Sequence, residues 1–129
     1  MPRTLRAPRI TLQEMFLRSA RRHPDKPAAI FEGRALSYSE LRQRVENLAA
    51  HLQSACGVKR GDRVLLDMQN GHDFVIATFA VLLADAVVVP VSPMNLAEEL
   101  RHYLEDSDAR VAITEKDLAP RFSGYLWRI

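Results

Sequence analysis

The residues of this chain able to do acid–base, nucleophilic or metal chemistry are few and scattered. The histidines are His23, His51, His72 and His102, and no two have the separation that places both on one metal ion. His72 precedes Asp73 at a predicted helix start, where an imidazole could take a proton. A general base also needs an oriented partner and a substrate pocket. The sequence shows neither, so a surface histidine is the expectation. Cys56 falls at a helix carboxyl end, where the dipole does not favour thiolate, and reads as a half-buried structural thiol. Gly61-Asp62-Arg63 could hold an anion. The simpler reading has Asp62 organising the turn into a strand and Arg63 at an edge or in an ion pair. Glu98, Glu99, Glu105, Asp106 and Asp108 form an acidic stretch that reads as a helix cap and a solvated face. Glycines stand at 33, 57, 61, 71 and 124, too far apart for either phosphate-cradling pattern. No residue is assigned a catalytic, cofactor-binding or metal-ligating role. The loop Pro90-Val91-Ser92-Pro93 stands apart, because it follows the carboxyl end of a predicted parallel strand, where open α/β sheets place ligands. Pro90, Ser92 and Pro93 are the candidate cleft-bordering residues.

The elements that would position these residues are marked by capping signals. Thr11 with Glu14, Ser37 with Glu40, and Asn95 with Glu98 each place a small cap three residues before a glutamate; Asn70 with Asp73 is a weaker version. The predicted first helix covers 12–22, with Leu12, Met15, Phe16 and Ser19 on one side, and His23-Pro24 ends it. Residues 28–31 and 34–37 flank Glu32-Gly33 as a short hairpin or a strand with a tight turn. The second helix carries Leu41, Val45, Leu48, Ala49 and Leu52 at helical spacing and ends at Gly57. Residues 63–68 read as a strand. A third helix over 73–84, apolar on all sides, belongs in the interior. Residues 86–91 read as a strand covered on both faces, because its valines do not alternate with polar residues. A fourth helix has Leu96, Leu100, Tyr103 and Leu104 on its inner stripe, and 109–114 is the last strand. Strand, helix, strand, helix, strand with right-handed crossovers predicts a doubly wound, mostly parallel α/β sheet.

Composition narrows the classes. The 129 residues suit one domain, and 47% apolar with 26% charged residues suits a packed core. The net charge is only +2, with arginines gathered at 3, 6, 9, 18, 21 and 22. No aromatics interleave with them, which disfavours a single-strand nucleic-acid platform. Residues 1–10 read as a flexible basic terminus. A single cysteine fits a reducing cytoplasm. The apolar run 74–91 is long enough to span a membrane, but Asp85 and Pro90 interrupt it, so a buried helix followed by a buried strand is expected.

Several phrases in order resemble the adenylate-forming superfamily, which includes acyl-CoA ligases and peptide-synthetase adenylation domains. They are Pro27-Ala28-Ala29-Ile30, Leu36-Ser37-Tyr38-Ser39-Glu40-Leu41, Gly57-Val58-Lys59-Arg60-Gly61-Asp62-Arg63-Val64, Met68-Gln69-Asn70 and Phe79-Ala80-Val81-Leu82. Then come Ala86-Val87-Val88-Val89-Pro90-Val91-Ser92-Pro93-Met94, Glu98-Glu99-Leu100 and Asp106-Ser107-Asp108-Ala109. The segment from Ala86 leans toward fatty acyl-CoA ligases. Asp85 departs from the pattern, which commonly has glycine there. The resemblance implies residues 11–129 as a partial N-terminal domain of a ligase. That enzyme would use ATP and Mg2+ to adenylate a fatty or aryl carboxylic acid and then pass the acyl group to CoA. The family's phosphate loop, adenine motifs and catalytic lysine lie downstream of this segment, so none is carried over to a residue here. The apolar Gly124-Tyr125-Leu126-Trp127-Arg128-Ile129 reads as a cut inside a larger protein or a divergent tail. The expected behaviour is a scaffold without catalysis of its own, associating with the missing downstream part or with itself. The rival readings are a free-standing nucleotide-binding or interaction module and, last, a basic nucleic-acid adaptor.

Overall fold

The structure, a computed structural model, describes residues 9–95, 97–116 and 118. Most of the basic terminus (residues 1–8) and the apolar end (Gly124 to Ile129) lie outside the described residues.

Local signals set most of the elements. Helix α1 (Leu12–Arg22) starts where the Thr11 hydroxyl accepts the Glu14 N–H at 3.3 Å. Strands β1 (Pro27–Phe31) and β2 (Arg34–Ser37) form an antiparallel hairpin. Its two-residue turn has Glu32 at φ 49° and Gly33 at φ 76°, the doubly left-handed geometry that matches the strand twist. Helix α2 (Tyr38–Ser54) is capped by the Ser37 hydroxyl, which accepts the Glu40 N–H at 3.2 Å. Strand β3 (Arg63–Asp67), helix α3 (His72–Leu83), strand β4 (Val87–Val91), helix α4 (Ala97–Ser107) and strand β5 (Val111–Thr114) complete the order.

The sheet order is β4-β3-β5, all parallel, with Arg63 level with Val87 and Val64 level with Val111. Alternate side chains of β3 face opposite layers. Val64 and Leu66 join the large core built from Phe16, the inner stripe of α2 (Leu41, Val45, Ala49, Leu52) and α3. Leu65 joins a smaller core with Leu100, Leu104, Ala109 and Ala112 beneath α4. Helices therefore cover both faces, which is the doubly wound α/β arrangement expected from the sequence. The Phe16 and Phe79 rings stack with centroids 4.7 Å apart and tie α1 to α3.

Three sequence expectations are corrected. Strand β4 is an edge strand, half-exposed along its length, with Val87 46% exposed. Its valines do pack on both cores, but among the described residues only β3 flanks it. The Val87 N–H bonds inward to the Asp62 carbonyl, so alternation turns position 90 outward, where a proline lacking an N–H breaks no ladder bond. Asn70 does not cap α3; Gly71 holds that position without a side-chain bond, because the helix begins one residue early at His72. Tyr103 is 39% exposed, and the buried residues of α4 among those described are Leu100 and Leu104. Leu12, Met15, Phe16 and Ser19 do share one side of α1, lining one cleft, with Leu12 and Met15 exposed and Phe16 and Ala20 buried. The cap expected from Asn95 and Glu98 runs through Leu96, which lies outside the described residues.

Asp85 lies at φ 58°, in the left-handed region where glycine is unstrained. Its neighbours close the end of α3: the Asp85 N–H bonds the Leu82 carbonyl at 3.0 Å and the Ala86 N–H bonds the Val81 carbonyl at 3.1 Å. Aspartate is among the few residues that tolerate this backbone. Asp85→Gly is expected to raise stability by up to about 1 kcal/mol, part of the relief being offset by the greater freedom of unfolded glycine. Chemical denaturation of the two proteins side by side measures it.

Candidate functional site

The three parallel strands end level with one another, Asp67 lying beside Val91 on one side and Thr114 on the other. The chain leaves β3 to form β4 on one side, then returns past β3 to form β5 on the other. That reversal leaves a crevice at the carboxyl ends between β3 and β5, the place where open α/β sheets take ligands. Asp67 sits there at 0% exposure, the one charged side chain in the buried set among the described residues. Burying a carboxylate costs several kcal/mol unless hydrogen bonds replace its water. The Thr114 hydroxyl donates to Asp67 Oδ2 at 3.1 Å, and the Gln69 N–H donates to Glu115 Oε1 at 2.8 Å. These two bonds lock the ends of β3 and β5 together.

Two open clefts flank this rim. One, of about 720 Å³, lies between the β1–β2 turn and the start of α3; Arg34, Arg44, Glu32, Asp73 and Glu115 bring mixed charge to it. The other, of about 480 Å³, runs from Phe31 past Met68 to Ser92, Pro93 and Met94. Phe31, Gln69 and Asn70 line both.

The sequence-derived residues divide here. Ser92 and Pro93 line the smaller cleft, where the Ser92 hydroxyl accepts the Met94 N–H at 3.2 Å. Pro90 does not line it; it lies inside β4, level with Leu66. His72 is not the surface histidine expected. It is half-buried, its Nε2 is enclosed without a hydrogen-bond partner, and Phe31 packs edge-on with ring centroids 6.5 Å apart. The cause is tertiary: the hairpin folds over the start of α3, bringing the Phe31 ring within 3.7 Å of where a Gly71 Cβ would stand. Asp67 was missed in the sequence. The signal available was a carboxylate ending the apolar run Val64-Leu65-Leu66. At the opposite end of the sheet, Asp62 does organise its turn: Oδ2 accepts the Lys59 N–H at 2.8 Å. Cys56 is a half-buried free thiol, and the acidic residues of α4 and its exit are exposed.

Chemically, the rim offers one sequestered carboxylate, a serine turned on its own loop and two arginines opposed by three carboxylates. Among the described residues, no three His, Cys, Asp or Glu side chains gather to hold a metal ion. Nor is any helix there long and apolar enough to cross a membrane.

A doubly wound sheet with clefts at its carboxyl ends defines a ligand-binding α/β scaffold. The chain belongs to the AMP-binding enzyme family, whose model matches residues 16–124. It is 42% identical over 114 residues to phosphinothricin tripeptide synthetase PhsC of Streptomyces viridochromogenes, covering 88% of this chain and 10% of that protein. It is 38% identical over 109 residues to a long-chain-fatty-acid–CoA ligase of Salmonella typhimurium, covering 84% of this chain and 19% of that protein. Among solved structures, a putative long-chain-fatty-acid CoA ligase of Rhodopseudomonas palustris superposes with a TM-score of 0.81 at 31% identity, over 91% of this chain and 30% of that one. The artificially fused adenylation–PCP di-domain NpsA-ThdA, from Klebsiella oxytoca, does so with a TM-score of 0.81 at 28% identity, over 90% of this chain and 21% of that one. The chain thus spans a tenth to a fifth of these curated relatives, and corresponds to part of an N-terminal adenylate-forming subdomain.

Proposed function

We propose that this chain is the amino-terminal scaffold of an acyl-CoA ligase, which activates a carboxylic acid with ATP and transfers the acyl group to CoA. The observation that carries this reading is the match of the β4-β3-β5 sheet and its helices to about 30% of a fatty-acid CoA ligase structure, with fatty-acid ligases prominent among the relatives. Residues 11–129 act as one partial domain, and the single cysteine fits a cytoplasmic setting.

Adenylation builds negative charge on the phosphates and on the attacked carboxyl, and needs convergent donors and cations to meet it. The described rim does not fit a bound Mg2+: Glu32, Asp73 and Glu115 line one cleft without gathering on a point. Its two arginines are outnumbered by those carboxylates, so it does not fit a triphosphate either. What this chain supplies is position. Locked strand ends, the Phe31 wall and the Ser92-Pro93 loop border a cleft that downstream sequence completes with the reacting groups.

A second reading, an adenylation domain of a peptide synthetase, is favoured by PhsC and by the Klebsiella oxytoca structures. The two share acid activation and differ in the acceptor, CoA or a carrier domain. ATP–pyrophosphate exchange tests both. The 129-residue chain alone is expected to give no exchange above buffer with fatty or amino acids. Substituted for the matching segment of the Salmonella typhimurium ligase, it is expected to retain fatty-acid-dependent AMP release. Exchange by the chain alone overturns the scaffold reading. A folded chimera that has lost fatty-acid activation moves the assignment to the peptide-synthetase branch.

A further inference from the structure

We infer that the amino-terminal end of the sheet, opposite the rim, carries a binding site for a phosphate monoester. A cleft of about 570 Å³ opens there, lined by Cys56, Lys59, Asp62, Arg63, Asp108 and Arg110 among others. Its cations come from three separate places in the chain. Lys59 sits on the loop before β3, Arg63 is the first residue of β3, and Arg110 immediately precedes β5.

The register makes this gathering unusual. Val64 is level with Val111, and Arg63 and Arg110 each stand one residue before that pair, where the two parallel strands begin. Like charges directly opposite one another destabilise a sheet. Among the described residues, none of Lys59, Arg63 and Arg110 has a carboxylate in ion-pair contact. Two carboxylates share the cleft, against its three cations. Asp62 is engaged in its own turn, accepting the Lys59 N–H at 2.8 Å. Asp108 stands on a left-handed backbone at φ 55° at the exit of α4. The cleft therefore keeps a surplus positive charge.

The loop carrying Lys59 is held in place. The Gly61 N–H bonds the Asp85 carbonyl at 2.9 Å, and the Asp62 carbonyl accepts the Val87 N–H at 2.8 Å. Two guanidinium forks and an ammonium on a fixed frame suit the several oxygens of a phosphate dianion. An anion between Arg63 and Arg110 converts their repulsion into shared attraction. The volume exceeds that of one phosphate and leaves room for the organic part of an ester. All three cations are exposed, so binding is weak and screened by salt. This site stands on the register and the cleft alone, and does not depend on the adenylating reading.

Equilibrium dialysis of the 129-residue chain at low ionic strength against labelled inorganic phosphate and glycerol 3-phosphate tests it, and reads binding whatever the state of association. Saturable uptake of both is expected, with a dissociation constant on the order of 1 mM for an exposed site. The double variant Arg63→Gln with Arg110→Gln should weaken it at least tenfold, while Arg34→Gln with Arg44→Gln, in the cleft at the opposite end, leaves it unchanged. Both pairs are on the surface or at strand starts, and a thermal melt confirms that each variant folds. Absence of saturable uptake, or uptake equal in both double variants, overturns the site. Flotation with phosphatidic acid vesicles without uptake of either soluble anion overturns the small-ligand assignment in favour of a lipid surface.

Discussion

Leu66→Ala and Leu65→Ala are each expected to cost about 2–5 kcal/mol, with different local consequences. Both side chains are fully buried on β3, the central strand, and they point to opposite layers. Leu66 packs in the large core beneath α1, α2 and α3, so its loss destabilises the whole unit. Leu65 packs in the small core with Leu100 and Leu104, so its loss first frees α4. A domain of this size has about 5–15 kcal/mol in all, so either change removes a large share. Urea denaturation gives the total cost, and amide hydrogen exchange gives its location. Unchanged protection in α4 for Leu65→Ala would show that the two faces do not separate in this way.

The second large effect is expected from Ala80→Leu. Ala80 is 0% exposed on α3, in the core that also holds Val45, Ala49 and Leu52 of α2. A small residue here lets the helix backbone lie close to its neighbours. Three added carbons have no space and force off-rotamer side chains or a helix shift, at about 1–3 kcal/mol or more. Ala50→Leu, on the exposed face of α2, is the matched control and should stay within about 0.5 kcal/mol. A folded Ala80→Leu protein with an unaltered melting temperature would mean that α3 is not packed as described.

The contrast between those two alanines shows where reading the chain succeeds. The α2 stripe of Leu41, Val45, Ala49 and Leu52 was legible because a helix repeats every 3.6 residues, and that arithmetic is local. The caps at Thr11 and Ser37 were legible for the same reason, each being a bond across three residues. Strand β4 was read correctly as apolar on both faces but wrongly as enclosed, because composition reports what a strand can bury and not whether a neighbour lies on each side. His72 was misread because the Phe31 ring that encloses it lies 41 positions earlier in the chain. The site shows the same division: Ser92 and Pro93 were found from their place after a strand, while Asp67 emerged only when β5 brought Thr114 beside it.

By itself, the sequence determined the elements, their order, the buried stripe of α2 and the likeness to adenylate-forming enzymes, because each depends on neighbours a few residues apart or on ordered phrases. Tertiary structure alone decided that β3 is central, that Asp67 is sequestered, that His72 is covered and that Arg63 stands beside Arg110. Those facts depend on pairing between residues from 24 to 47 positions apart. Such pairing is settled by which faces can be buried together, and no local pattern encodes it.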